Sequence, residues 1–116
     1  MAFSFLLECS SLEKLIIIGG GVAGLTCLNG LLDQGLSPLL LEEKTLGIPK
    51  VCGEFLAPLA SKQLQKWGIG PIQCIKEVCF LVNNKRVQVP FPEPAGAFSR
   101  VEAELSLAKR AYEKGG

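Results

Sequence analysis

The feature that most limits how this chain can fold is Leu15-Ile16-Ile17-Ile18-Gly19-Gly20-Gly21-Val22-Ala23-Gly24-Leu25, with Glu42 eighteen residues beyond Gly24. The apolar, β-branched run predicts a short strand covered on both faces. Gly19, Gly21 and Gly24 then fall on the G-x-G-x-x-G spacing. In that pattern the first glycine turns the chain sharply out of the strand. The second lets backbone approach a pyrophosphate, and the third lets the helix pack closely on the sheet. N–H groups at the helix start, from Gly21 through Val22 to Ala23, then face the phosphates with the help of the helix dipole.

The helix is expected from about Val22 to Gln34, with Gly35 as its C′ residue. Val22, Leu25, Leu28 and Leu32 share the face that meets the sheet. Asn29 and Gly30 fit poorly in its interior, and Gly30 alone costs about 1 kcal/mol relative to alanine. Pro38 can open a second strand but not occupy its centre, because it offers no N–H; Leu39 to Leu41 form that strand. Glu42, at its end, is placed to accept hydrogen bonds from the 2′-hydroxyl of an adenosine ribose, and it disfavours the 2′-phosphate of NADP. Strand, turn, helix, strand and acid together predict a parallel βαβ unit that holds the ADP half of a dinucleotide. The plainer alternative, a glycine-rich turn in some other α/β protein, leaves the position of Glu42 unexplained.

A chain of 116 residues is one small domain at most. Its hydrophobic content of 48% is too high for a disordered chain. A net charge of +1, with both signs interspersed, points away from a nucleic-acid surface or a basic membrane patch. No apolar run reaches bilayer-crossing length. Phe3 to Leu7 is too short and lacks the basic flank of a signal peptide. Residues 1–11 are therefore expected to be a poorly ordered leader, and residues 12–116 the folded domain. Cys9, Cys27, Cys52, Cys74 and Cys79 form no C-x-x-C pair and histidine is absent, so neither a metal site nor a secreted disulfide framework is expected. A reducing, cytoplasmic setting fits best. The lack of histidine also removes the commonest general base and any Ser-His or Cys-His pair.

Downstream, Thr45 to Gly53 reads as a loop. A helix follows from Pro58 to the stop at Gly68, with Ala60, Leu64 and Trp67 on its inner side. Trp67 reads as core packing rather than a stacking platform. Glu77 to Val82 and Arg86 to Val89 predict a hairpin around Asn83-Asn84. Pro90, Pro92 and Pro94 are expected to end pairing and form an extended linker. Ser99 and Glu102 form a capping box for a last helix with Leu105, Ala108, Ala111 and Tyr112 on its apolar side. Gly115-Gly116 reads as a helix end that leads into a further strand, as though the chain were cut short.

The segment Lys50-Val51-Cys52-Gly53-Glu54-Phe55-Leu56-Ala57-Pro58 closely resembles the K-V-C-G-E-x-L-S-P stretch of the geranylgeranyl reductase-like branch of FAD-dependent oxidoreductases. That branch is similar to the aromatic-ring hydroxylase and flavin monooxygenase group. Phe98-Ser99-Arg100 and the helix ending at Lys114-Gly115 also resemble that group, where S-R precedes a helix bearing an acid; Glu104 stands in place of the usual aspartate. The resemblance runs from about Leu15 to Gly116, with little contribution from the hairpin.

It implies the N-terminal portion of an α/β enzyme: a partial Rossmann-like FAD-binding domain of glutathione-reductase type, with a substrate domain inserted in the complete protein. Carried over, Gly19, Gly21, Gly24 and Glu42 hold the ADP moiety, with Val22 and Ala23 in the same turn. Lys50 and Cys52 lie in the loop that passes near the flavin, Cys52 being the candidate catalytic residue. Arg100 matches an arginine associated with cofactor binding. The competing roles are an inert thiol for Cys52, a solvated loop charge for Lys50 and a surface ion pair for Arg100. The implied cofactor is FAD, with NAD(P)H as a transient electron donor and a small molecule or prenyl lipid as substrate. The reaction is double-bond reduction or hydroxylation. The D-G and G-D-A type motifs that complete the family's FAD site are absent here, so the chain is expected to be inactive alone. A non-catalytic nucleotide-binding remnant is one alternative. A NAD-dependent dehydrogenase half-domain is another, against which the Lys50 to Pro58 segment speaks.

Overall fold

The computed structural model describes residues 15–116, so the expected leader and Cys9 lie outside the described residues. In chain order the elements are β1 (Ile16–Ile18), α1 (Val22–Asp33), β2 (Leu39–Leu41), β3 (Phe55–Leu56), α2 (Pro58–Lys66), β4 (Gln73–Val82), β5 (Lys85–Ala97) and α3 (Arg100–Glu113). They divide into two compact units. One takes the chain through Leu46 together with Leu107–Gly116, and the other takes Gly47–Ser106.

In the first unit β1 and β2 pair in parallel, Ile16 opposite Leu39 and Ile18 opposite Leu41, and α1 packs on both strands. This is the βαβ arrangement expected from the apolar runs and the glycine turn. α1 begins at Val22 and ends at its C-cap Gln34; Gly35 follows at φ +78°, the left-handed conformation of a C′ glycine. One expectation fails. β1 is not covered on both faces, and Ile18 is 87% exposed. Among the described residues this sheet has two strands, and α1 shields only one side of it.

The interior of α1 also differs from expectation. Leu25 and Leu28 are buried as predicted, whereas Val22 and Leu32 are only half-buried and Asn29 is completely buried. Asn29 is fully engaged. Its Nδ2 donates to the carbonyls of Leu25 at 2.8 Å and Leu107 at 2.9 Å. Its Oδ1 accepts from Arg110 Nη1 at 2.8 Å. Arg110 also pairs with both carboxylate oxygens of Asp33, which Lys114 joins. A buried amide with no partner is destabilising, but one with all of these partners ties α1 to the C-terminal half of α3.

That tie helps to explain a third correction. The inner row of α3 is Ala103, Leu107 and Ala111, all buried along with Glu104, while Leu105 and Tyr112 are exposed. Residues four apart stack on one helical face, and a residue two positions away points elsewhere. Leu105 therefore cannot share a face with Ala103 and Leu107.

In the second unit β3, β5 and β4 form an antiparallel sheet with β5 in the middle. The hairpin turns at Asn83-Asn84, both at positive φ (47° and 60°), as a two-residue type I′ turn requires. The hairpin is longer than expected, and the three prolines do not end it: β5 runs through Pro90, Pro92 and Pro94 to Ala97. The register explains this. Glu77 faces Pro90 and Ile75 faces Ala95, so Lys76 alone stands opposite residues 91–94. A proline without an N–H is tolerated where the ladder is interrupted by such an irregularity. Pairing then resumes, and Gly96 and Ala97 bond β4 on one side and β3 on the other. α2 packs on β3 and β5. It buries Ser61 and Leu64, whereas Ala60, expected inside, is exposed and Trp67 is half-buried.

Candidate functional site

The glycine turn of the first unit is built by mutual exclusion of side chains. Gly19 has φ +103°, a conformation that L-residues rarely adopt. Its carbonyl oxygen lies where a side chain on Gly24 would begin: a Cβ there would be 1.8 Å from it and 3.4 Å from Ile17 Cγ2. The first and third glycines of the motif thus require each other, and the helix is seated on the strand. Gly21 is the N-cap of α1 at φ −75°, a conformation open to any residue. No side chain caps this end, and the first turn holds no acid. The first hydrogen bond of the helix is from Leu25 N–H to the Gly21 carbonyl. Val22, Ala23 and Gly24 therefore present N–H groups without intrahelical acceptors, at the positive end of the helix dipole.

Glu42 follows β2 and turns back to this glycine segment. Its Oε2 accepts the N–H of Gly20, and its Oε1 accepts the N–H of Lys44 at 2.9 Å. Gly20 is buried, and a Cβ there would press on Leu46 and Glu42. The structure therefore brings Gly19, Gly21, Val22, Ala23, Gly24 and Glu42 into one neighbourhood. It adds Gly20, whose role as the Glu42 dock was hidden within a run of three glycines.

Lys50, Cys52 and Arg100 are gathered in the second unit around two acids. Glu104 is 1% exposed and its Oε1 accepts from both Arg100 Nε at 3.1 Å and Lys50 Nζ at 3.3 Å. Lys50 is thus not an isolated loop charge, and the partner of Arg100 is buried rather than solvated. The hydrogen bond that Arg100 donates to Glu104 raises the Arg100 pKa; desolvation opposes the rise and the neighbouring Cys52 sulfur adds to it. Cys52 is exposed and its Sγ accepts from the Glu54 N–H at 3.4 Å.

Glu54 itself is held at φ +56°, a costly conformation for a residue with a Cβ. Its carbonyl accepts from Phe98 N–H, and its carboxylate accepts from the Arg100 backbone N–H at 3.3 Å. Ser99 Oγ accepts from Glu102 N–H at 3.4 Å, the expected half of the capping box. The segment from Lys50 to Glu54 is thereby fastened to the first turn of α3. No local signal marks Glu54 for this fastening role, although it stands within the segment that carries the family resemblance. Among the described residues no group of His, Cys, Asp and Glu side chains could hold a metal ion. None of their helices is long and apolar enough to cross a membrane.

No family model matches this chain. It is similar to squalene epoxidase ERG1 of Gibberella zeae, with 33% identity in an alignment 85 residues long that covers 66% of this chain and 17% of that protein. Its fold is similar to that of the flavin-dependent brominase Bmp2, with a TM-score of 0.72 and 22% identity over 88% of this chain and 27% of that one. It is also similar to the myxobacterial chondrochloren halogenase CndH, an FAD-dependent halogenase, with a TM-score of 0.73 and 20% identity over 88% of this chain and 27% of that one. The chain thus spans only a small part of each of these proteins. The two halogenase structures establish the α/β fold as one found in flavin-dependent enzymes.

Proposed function

We propose that this chain is the FAD-binding part of a flavin-dependent oxidoreductase of the monooxygenase-like kind. The observation that carries the reading is the glycine turn: a row of open N–H groups at the start of α1, with the Glu42 carboxylate drawn against the same turn. A phosphate accepted by Val22 to Gly24 leaves its ribose within reach of Glu42, and a carboxylate there selects a free 2′-hydroxyl over a 2′-phosphate. The residues fit the ADP moiety of FAD. Likeness to two flavin-dependent halogenases and to an epoxidase supports FAD over NAD as the dinucleotide.

FAD, when bound, supplies the redox chemistry, and the polypeptide binds, orients and tunes it. Gly19 and Gly24 shape the turn, Val22 and Ala23 donate to the pyrophosphate and Glu42 holds the ribose. Arg100 and Lys50 offer positive charge to an anionic group of the cofactor. Cys52 is the candidate side chain for the loop beside the flavin. In the complete enzyme we assign NAD(P)H as electron donor and a small molecule or prenyl lipid as substrate, the latter supported by the squalene epoxidase relative. Reduction of a prenyl double bond is the second reading, supported by the Lys50 to Pro58 segment. The chain alone is proposed to bind cofactor without turnover.

The test is a titration of the purified chain with FAD, followed by flavin fluorescence, alongside NAD and the variant Glu42→Ala. Saturable FAD binding, stronger than NAD binding and weakened about tenfold by the substitution, is expected. A folded chain that binds no FAD, or prefers NAD, refutes the proposal.

A further inference from the structure

We infer that Cys74 is a modification site that takes a short thiol peptide as a mixed disulfide, in a cavity between α2 and the start of β4. The cavity lies wholly within the second unit, has a volume of about 210 Å3 and is lined by residues of α2, β4 and β5. Its room comes from Gly96. Cys74 and Gly96 are direct partners across the antiparallel ladder, so their side-chain directions share one face of the sheet. A Cβ on Gly96 would stand 2.6 Å from Ile72 Cγ2 and 2.8 Å from Ser61 Oγ. The Cys74 side chain is therefore on the α2 face, beside a partner that adds no bulk, and it is exposed.

Ser61 is the independent sign of a polar ligand. The residue is 7% exposed, and its hydroxyl makes no hydrogen bond with any described residue. No side-chain oxygen of those residues is sealed away without a partner, so this hydroxyl opens into the cavity that Ser61 lines. Buried polar groups are satisfied by protein, solvent or ligand. The other polar groups of the wall define which ligand. Gln65 and Gln73 offer two carboxamides, each able to donate to and accept from a peptide bond. Lys62, also on the wall, pairs with Glu93 at 3.2 Å, and these side chains are 64% and 61% exposed. So exposed a pair is worth little, and it opens at small cost to exchange partners with an amino-acid zwitterion. Peptide bonds, a zwitterion and a thiol are the groups of a molecule such as glutathione.

The step is thiol–disulfide exchange, with the disulfide of the peptide as oxidant. Cys74 gives up its proton and attacks one sulfur of that disulfide. A bond forms between the two sulfurs as the original S–S bond breaks. The departing thiolate carries away the electron pair and takes up a proton. The site stands apart from the nucleotide reading and does not depend on it.

The experiment exposes the full chain to glutathione disulfide and, in parallel, to bis(2-hydroxyethyl) disulfide, which carries neither peptide bonds nor charge. Peptide mapping by mass spectrometry reads the rate at each cysteine, with the exposed Cys27 and Cys79 as internal controls. With glutathione disulfide, Cys74 is expected to react at least about tenfold faster than either control, a discrimination that one or two net hydrogen bonds supply. With the hydroxyethyl reagent the three rates should agree within about threefold. Lys62→Met and Gln65→Leu, both at exposed positions, should each lower the glutathione rate at Cys74 by about threefold or more and leave the hydroxyethyl rate unchanged. Equal glutathione rates at the three cysteines overturn the inference. So does a preference for Cys74 that is the same with both reagents, which is thiol reactivity without recognition, or a pair of folded variants that both react like wild type.

Discussion

Replacing Asn29 tests the packing of the first unit directly, because two views of this residue predict opposite signs. Helix propensity favours Asn29→Ala by about 0.6 kcal/mol. The structure predicts a loss. Two neutral hydrogen bonds from Nδ2, to Leu25 and Leu107, are each worth about 1 kcal/mol. The bond from the charged Arg110 at 2.8 Å is worth about 2 kcal/mol. Set against the propensity gain, the substitution should cost about 3 kcal/mol, a large part of the roughly 5–15 kcal/mol that stabilises a small domain. Asn29→Leu, of similar size, should also destabilise, since it leaves an Arg110 N–H facing a methyl group. Urea unfolding followed by circular dichroism reads the loss. A cycle with Arg110→Met should show a coupling of about 1–3 kcal/mol. If Asn29→Ala or Asn29→Leu matches wild-type stability, or the coupling is absent, the polar tie between α1 and α3 is not what holds this face together.

Two glycines of the same unit should respond in opposite directions. Gly24→Ala places a Cβ 1.8 Å from the Gly19 carbonyl oxygen, so the turn must open; a loss of about 3 kcal/mol or more and the disappearance of nucleotide binding are expected. A thermal melt and an FAD titration that both match wild type would contradict the turn geometry. Gly30→Ala meets no atom within 4 Å and should raise stability by about 0.5–1 kcal/mol through reduced backbone entropy and better helix propensity. A melting temperature unchanged or lowered in that variant would count against an open α1 interior at this position.

Much of the candidate site was legible because the signals are local. The spacing of Gly19, Gly21 and Gly24, the apolar runs on either side and Glu42 are read from neighbouring residues, and the turn, α1 and β2 follow from them. The Asn83-Asn84 turn was equally plain, since asparagine tolerates the left-handed conformation that a tight hairpin needs. Each proline of the stretch, taken alone, predicts a strand end. Whether it breaks a strand depends on what faces it, and the register places only Lys76 opposite residues 91–94. A polar Asn29 on the same α1 face as Leu25 is the local signal for a buried network, although by helix propensity alone it counts only as a weakness.

The order of the βαβ unit and the shape of its glycine turn were written in short stretches of chain, where sterics and backbone hydrogen bonding act over a few residues. The satisfaction of Asn29 by Arg110, 81 residues away, could not be read that way. Nor could the pairing of Lys50 with Glu104 across 54 residues, or the choice of Ala103, Leu107 and Ala111 as the inner face of α3. Periodicity ranks the faces of a helix by hydrophobicity. Which face turns inward, and which buried polar groups are tolerated there, depends on the partners that folding brings from distant positions.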